Sequence, residues 1–157
     1  MTASLDTREP PHPGIAALAA ALGDAVMADD ATRAYYANDI FWQPGIRPLA
    51  VVMPGSAADA ATAVRIATES GIAVVPRGGG MSYTKGYLPA QEEAIVIDAR
   101  KLNDVIEVNS DDLYITVGAG CTWAKLNEAL EGTGLRTGYW GPLSGVNATV
   151  GGALSQN

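Results

Sequence analysis

The sequence predicts an α+β fold, and three observations carry that expectation. Between Leu49 and Val75 an apolar run, a helical pattern and a second apolar run follow one another, as in a strand–helix–strand unit with parallel strands. Between Val105 and Val117 two alternating runs flank the polar stretch Asn109-Ser110-Asp111-Asp112, as in an antiparallel hairpin. The chain has 157 residues, 48% of them apolar and 17% charged, a balance that supports a single packed domain.

The elements follow in order. Residues 1–13, with Pro10, Pro11 and Pro13, read as a mobile tail, and His12 within it as a solvated side chain. Ile15, Leu18, Ala19 and Leu22 recur at helical spacing before Gly23, which predicts a short amphipathic helix over 14–22. Val26-Met27 reads as a short strand, and Ala31 to Tyr36 as a helical turn leaving through Asn38-Asp39. Asp39 has no partner visible in the sequence.

Leu49 to Met53 is a buried strand between Pro48 and Pro54. Ser56, three residues before Asp59, starts a helix over Ala57 to Glu69 in the manner of a capping box. Ala60, Val64 and Ala67 share a face of that helix, and Gly71 ends it. Ile72 to Val75 is the next strand, completing a right-handed βαβ unit. Ala94 to Ile97 is another strand, reached only after a connection of about 18 residues, against a usual loop of ~4–6. After the hairpin, Thr122 caps a helix over Trp123 to Leu130, ended by Gly132 and Gly134. The remainder, through Gly151-Gly152, reads as a second glycine-rich stretch.

Charge and cysteine content exclude several functions. The 17 acidic and 10 basic residues give a net charge of −7, which disfavours non-specific nucleic-acid binding. A single cysteine, Cys121, allows neither an intrachain disulfide nor a cysteine-based zinc site, and no metal site is expected. The N-terminus lacks the apolar core of a secretory signal, and no run is long enough for a membrane span. A soluble, cytoplasmic protein is the expectation.

The stretch that points to chemistry is Val75-Pro76-Arg77-Gly78-Gly79-Gly80-Met81-Ser82-Tyr83, directly after a strand. Three consecutive glycines cost backbone entropy and have no side chains to pack, so a close approach to the backbone is implied. Bare N–H groups in such a turn form an anion-binding concavity, and a phosphate is the ligand expected there. A Rossmann dinucleotide turn needs glycine where Tyr83 stands, and Leu88-Pro89 works against the helix that should follow.

These residues resemble the pyrophosphate loop of the FAD-binding domain of the vanillyl-alcohol oxidase/p-cresol methylhydroxylase (PCMH) superfamily. Four further segments are similar to that domain in the same order: 49–56, 94–103, 117–127 and 148–155. The resemblance divides the chain into an N-terminal arm with a short helix, 1–43, and the N-terminal portion of a PCMH-type domain, 44–157. It implies two α/β subdomains with FAD between them, in a domain that is incomplete at Asn157. It implies cofactor contacts from Pro76, Arg77, Gly78, Gly79, Gly80, Met81, Ser82 and Tyr83. On the other side it implies Pro142, Leu143, Ser144, Gly145, Thr149, Gly151, Gly152 and Ser155, with both glycines admitting the cofactor to the backbone. Met81 and Leu143 stand where some relatives carry a histidine or a cysteine that tethers the flavin, so the FAD is expected to be non-covalent.

The implied activity is that of a flavin-dependent oxidoreductase whose flavin accepts a hydride from a small-molecule substrate, such as the 2-hydroxy acids glycolate or D-lactate. The substrate domain and the catalytic residues, which are unknown, are expected in a C-terminal domain or a partner chain. The alternative is a non-catalytic FAD-binding subunit or a truncated fragment. Tyr83, Tyr87, Tyr139 and Trp140 read mainly as core aromatics, and Cys121 as buried packing. Arg77 reads either as a surface or ion-paired residue whose backbone alone matters, or as local positive charge.

Overall fold

The computed structural model describes residues 12–138 and 145–156. Helix α1 (Pro13–Leu22) leads through one tight turn to strand β1 (Val26–Met27) and helix α2 (Asp30–Tyr36). Strand β2 (Ala50–Val52), helix α3 (Ala57–Glu69), strand β3 (Ala73–Arg77) and strand β4 (Ala94–Asp98) follow. The second unit holds strands β5 (Val105–Asn109) and β6 (Tyr114–Val117), with helices α4 (Trp123–Leu130) and α5 (Val150–Gln156).

Local chemistry explains most of the boundaries. Pro13 occupies the first turn of α1, where its missing N–H costs nothing, and His12 Nδ1 accepts the Gly14 N–H at 3.1 Å. His12 is therefore a helix cap, and the tail reading does not hold for 12–13. The Ser56 hydroxyl accepts the Asp59 N–H at 3.1 Å. At the other end of α3, Gly71 adopts φ +71. It donates to Thr68 O while Ile72 donates to Ala67 O, at 3.1 and 2.9 Å. Those two bonds form a Schellman stop. Thr122 Oγ1 caps α4 through the Lys125 N–H at 3.2 Å.

The four-stranded sheet has the order β1-β2-β4-β3. β2 and β3 are parallel to β4, and β1 is antiparallel to β2. The βαβ unit is thus present, but its strands are not neighbours, because β4 lies between them. Pro76 supplies the reason. A proline cannot donate to a ladder, so β3 belongs at an edge. All five residues of β4 are buried, as a central strand requires.

Both faces of the sheet are covered. Ala50, Val52, Ile95 and Ile97 pack with Ile15 and Leu18 of α1 and with Ala63, Ile66 and Ala67 of α3. Val51 and Val96 point the other way, against Tyr36 of α2. Each fully buried Val, Leu or Ile stabilises by roughly 1.5–3 kcal/mol. Ala67 is buried as expected, but the buried face of α3 is turned from the expected one, since Val64 is 43% exposed while Ala63 and Ile66 are inside. A thirteen-residue stretch rich in alanine leaves the angular register poorly marked, and the contact with α1 decides it.

The second unit has its own core of Cys121, Leu126 and Leu130, with Val105, Ile115 and Val117 packed against it. Leu113, expected at the start of the last hairpin strand, instead takes φ +59 in the turn. The glycine-rich segment 148–156 is ordered, with a helix that the sequence reading did not assign. It forms a one-residue bridge from Thr149 to Thr122 and then helix α5, which contains Gly151 and Gly152.

Candidate functional site

The two side-chain-poor stretches face each other across a cleft of about 490 Å3, within the size range of small-molecule sites. One wall runs from Pro76 to Thr84, continuing through Gly86 and Tyr87; the other comprises Ala148, Thr149, Gly151, Gly152, Ala153, Ser155 and Gln156. Ala99, Ala119 and Trp123 complete it. The structure therefore brings together Pro76, Arg77, Gly78, Gly79, Gly80, Met81, Ser82 and Tyr83 with Thr149, Gly151, Gly152 and Ser155. Gly145 is not in this wall; its carbonyl accepts the Ala124 N–H at 2.8 Å near the start of α4. Pro142, Leu143 and Ser144 lie outside the described residues, as do Tyr139 and Trp140.

Several lining residues carried no signal on their own. Ala119 was visible only as part of Gly118-Ala119-Gly120, and Trp123 only as a helix start. Gln156 reaches across the mouth of the cleft, its Nε2 donating to Ser82 Oγ at 2.5 Å. No local pattern marks a residue whose partner lies 74 positions away.

The glycines act differently at each position. A side chain at Gly79 would collide with the Asn147 carbonyl, and one at Gly78 with Thr149 Oγ1. At Gly151 a Cβ would sit 2.7 Å from the Ala119 carbonyl oxygen. These three glycines let the segments dock on one another, so Gly151 serves packing as its first duty. Gly80 adopts φ +67, the left-handed conformation that other residues rarely accept.

This close docking leaves backbone donors available. None of the N–H groups of Gly79, Gly80, Met81 and Ser82 meets an acceptor among the described residues. Four consecutive free donors in the wall of a cleft suit a group rich in anionic oxygens, since partly buried N–H groups seek acceptors. The residues present fit the diphosphate of FAD by this criterion.

Arg77 is neither a surface residue nor an ion-paired one among the described residues. It is 7% exposed, and its guanidinium carbon lies 4.5 Å from the centroid of the Tyr87 ring, 4.7 Å from Tyr36 and 5.5 Å from Tyr35. Aromatic faces stabilise a desolvated guanidinium through their quadrupoles. The result is a buried positive charge adjoining Gly80. Tyr87 is itself core, as expected, and its hydroxyl donates to Gly80 O at 2.7 Å or Ser82 O at 2.9 Å. Tyr83 departs from the core reading and is 59% exposed.

A second polar cluster ties the end of β4 to α2. Asp98 is fully buried, accepts from Arg100 Nη2 at 2.7 Å and from the Tyr36 hydroxyl at 2.5 Å. Burial first, and then the hydrogen bond to Asp98, push the Tyr36 pKa up to about 12. Cys121 is buried as expected, and burial raises its pKa while nearby Lys125 works in the opposite direction. That environment suits packing rather than a reactive thiolate.

Asp, Glu, His and Cys are absent from the cleft lining among the described residues. No group of three or more His, Cys, Asp or Glu is placed to hold a metal ion there or elsewhere among them. None of their helices is long and apolar enough to cross a membrane.

Comparison with known proteins agrees with this geometry. The chain is 31% identical over 130 residues to the mitochondrial D-lactate dehydrogenase [cytochrome] of Kluyveromyces lactis, covering 82% of this chain and 22% of that protein. The chain thus spans about a fifth of the length of that relative. Its fold matches a structure of alkyldihydroxyacetonephosphate synthase with TM-score 0.80 at 23% identity, over 93% of this chain and 32% of the other. It matches p-cresol methylhydroxylase with TM-score 0.65 at 20% identity, over 74% of this chain and 25% of the other. Residues 48–157 match the family described as FAD binding domain. With 48–157 matched and the cleft lying within that segment, the chain belongs to the FAD binding domain family.

Proposed function

We propose that this chain is the cofactor-binding portion of a flavin-dependent oxidoreductase acting on a small 2-hydroxy acid such as D-lactate or glycolate. The observation that carries the cofactor assignment is the run of four N–H groups from Gly79 to Ser82 in the cleft wall that meet no acceptor among the described residues. In this reading, those groups and the buried charge of Arg77 hold the diphosphate. Thr149, Gly151, Gly152 and Ser155 form the opposite wall, and Pro142, Leu143 and Ser144 are proposed as further cofactor contacts. The domain spans 44–157, with 1–43 as its arm. When bound, FAD supplies a hydride acceptor. This chain's own part is to orient the cofactor and exclude water from its phosphates.

The substrate class is supported by the likeness to D-lactate dehydrogenase. The cleft offers no carboxylate or imidazole among its described lining residues. In this reading, a base that removes the proton from a substrate hydroxyl is supplied by a C-terminal substrate domain or a partner chain. The same observation favours a second reading, a non-catalytic FAD-binding subunit or fragment. Met81, in place of a tethering histidine, supports a non-covalent flavin. A cytoplasmic location belongs to this proposal, and cell fractionation tests it.

The test is titration of the chain with FAD, followed by flavin fluorescence, then acid precipitation. Saturable one-to-one binding with complete release into the acid supernatant is expected. Absence of binding would overturn the cofactor assignment, and flavin retained in the pellet would overturn non-covalent attachment. Addition of D-lactate or glycolate with an artificial electron acceptor, to this chain and to one extended through its downstream coding sequence, separates the two functional readings.

A further inference from the structure

The family match begins at residue 48, yet residues 35–42 reach into the glycine loop. Asp39 makes the connection. Its Oδ1 accepts the N–H groups of Phe41 at 2.8 Å and Trp42 at 2.5 Å, while its own N–H donates to Trp42 O at 3.0 Å. Its Oδ2 is left free by that turn and accepts the N–H of Lys85 at 3.0 Å, across 46 positions of sequence. The Lys85 ammonium lies 3.9 Å from the centroid of the Trp42 ring. Lys85 adopts φ +62, a conformation that a non-glycine residue holds only when its surroundings enforce it.

The consequences run back to the phosphate loop. The chain from Gly79 to Glu93 contains no helix or strand, so little in its own backbone orders it. Lys85 O accepts the Leu88 N–H at 3.1 Å, which places Tyr87 in a turn anchored at Lys85. The Tyr87 hydroxyl reaches Gly80 O and Ser82 O, on the same loop as the four free donors. Donors that must converge on one anion bind it better if they are ordered beforehand, because less entropy is lost on association. A carboxylate is a suitable anchor, since its hydrogen bonds to N–H groups are charge-assisted. The Asp39 carboxyl lies below the usual range: desolvation works against the charge, and the N–H groups of Trp42, Phe41 and Lys85 outweigh it.

We propose that Asp39 is a positioning residue for the cofactor, holding the phosphate loop in its binding geometry through the Lys85 N–H. The N-terminal arm is then a working part of the site although it lies outside the matched family segment. This proposal rests on the FAD reading above.

The experiment compares the full chain with its Asp39→Ala and Lys85→Gly variants by FAD titration and by hydrogen exchange of the FAD-free proteins. Asp39→Ala removes the acceptor. Lys85→Gly keeps the N–H, relieves the positive φ and deletes the ammonium over Trp42. Asp39→Ala is expected to weaken FAD binding roughly tenfold, the order expected for a lost charge-assisted bond. It is also expected to speed amide exchange across Gly79 to Lys85 by tenfold or more, with β2 and β4 unchanged. Lys85→Gly is expected to keep affinity within about threefold, because the charge-assisted bond survives.

Wild-type affinity in Asp39→Ala, or unaltered exchange in the loop, would overturn the proposal. An equal loss in Lys85→Gly would assign the effect to the lysine side chain and also overturn it. If the unmodified chain takes up no FAD, the cofactor reading fails, and the exchange measurement still decides whether Asp39 orders the loop.

Discussion

The backbone carbonyl of Asn147 occupies the place where any residue other than glycine at position 79 would put its Cβ. Backbone cannot rotate aside as a side chain can, so the first effect of a substitution there falls on the contact between the two cleft walls. Gly79→Val is expected to separate the glycine loop from 147–149 and to abolish FAD binding. It should also lower stability by about 1–3 kcal/mol, the usual cost of overpacking. Thermal melting and FAD titration measure both effects. Hydrogen exchange should remain slow in β2 and β4, whose contacts lie elsewhere. Wild-type affinity in this variant would show that the walls do not meet at Gly79.

Tyr36 makes stability depend on alkaline pH. Its folded pKa of about 12 exceeds the free value of 10.0. The protonated phenol is therefore favoured by folding, and ionisation opposes it. The contribution is complete below pH 10 and is lost as pH rises from 10 through about 12. Urea melts across that window should show a fall in stability that is smaller in Tyr36→Phe. Equal slopes in the two proteins would remove Tyr36 as the cause.

The register of α3 gives a stability test independent of the site. Val64 is 43% exposed and Ile66 only 8%. Val64→Ser should change the unfolding free energy by no more than about 0.5 kcal/mol, as for most surface substitutions. Ile66→Ala should cost about 2–5 kcal/mol through the cavity it leaves beneath α1 and the sheet. The reverse ranking in chemical denaturation would place the helix on the face that the Ala60, Val64, Ala67 spacing suggested.

Much of the candidate site was legible because its signals are local. A strand ending at Pro76, three glycines and a long connection announce a backbone that something must approach. The part that was not legible depends on distance in sequence. Asp39 showed no partner because Lys85 lies 46 positions away. Arg77 read either as a surface or ion-paired residue or as local positive charge because its ring partners, the adjacent Tyr35 and Tyr36 and the distant Tyr87, come from two separate places in the chain. Gly151 and Gly152 gave no helix signal, since glycine is a poor helix former, yet packing on Ala119 and the bridge at Thr149 hold them in α5.

By itself the sequence determined most of the elements, and several of their ends. Ser56 and Thr122 cap helices through their own hydroxyls, Gly71 stops one by its positive φ, and apolar runs mark β2, β3 and β4. These are interactions within a few residues, and residue type suffices to specify them. Only the tertiary structure decided that β4 separates β2 from β3, that Gly79 abuts Asn147, and that the N-terminal arm grips the loop through Asp39. Each of these needs two distant segments to meet, and which segments meet is settled by the packing of the whole chain.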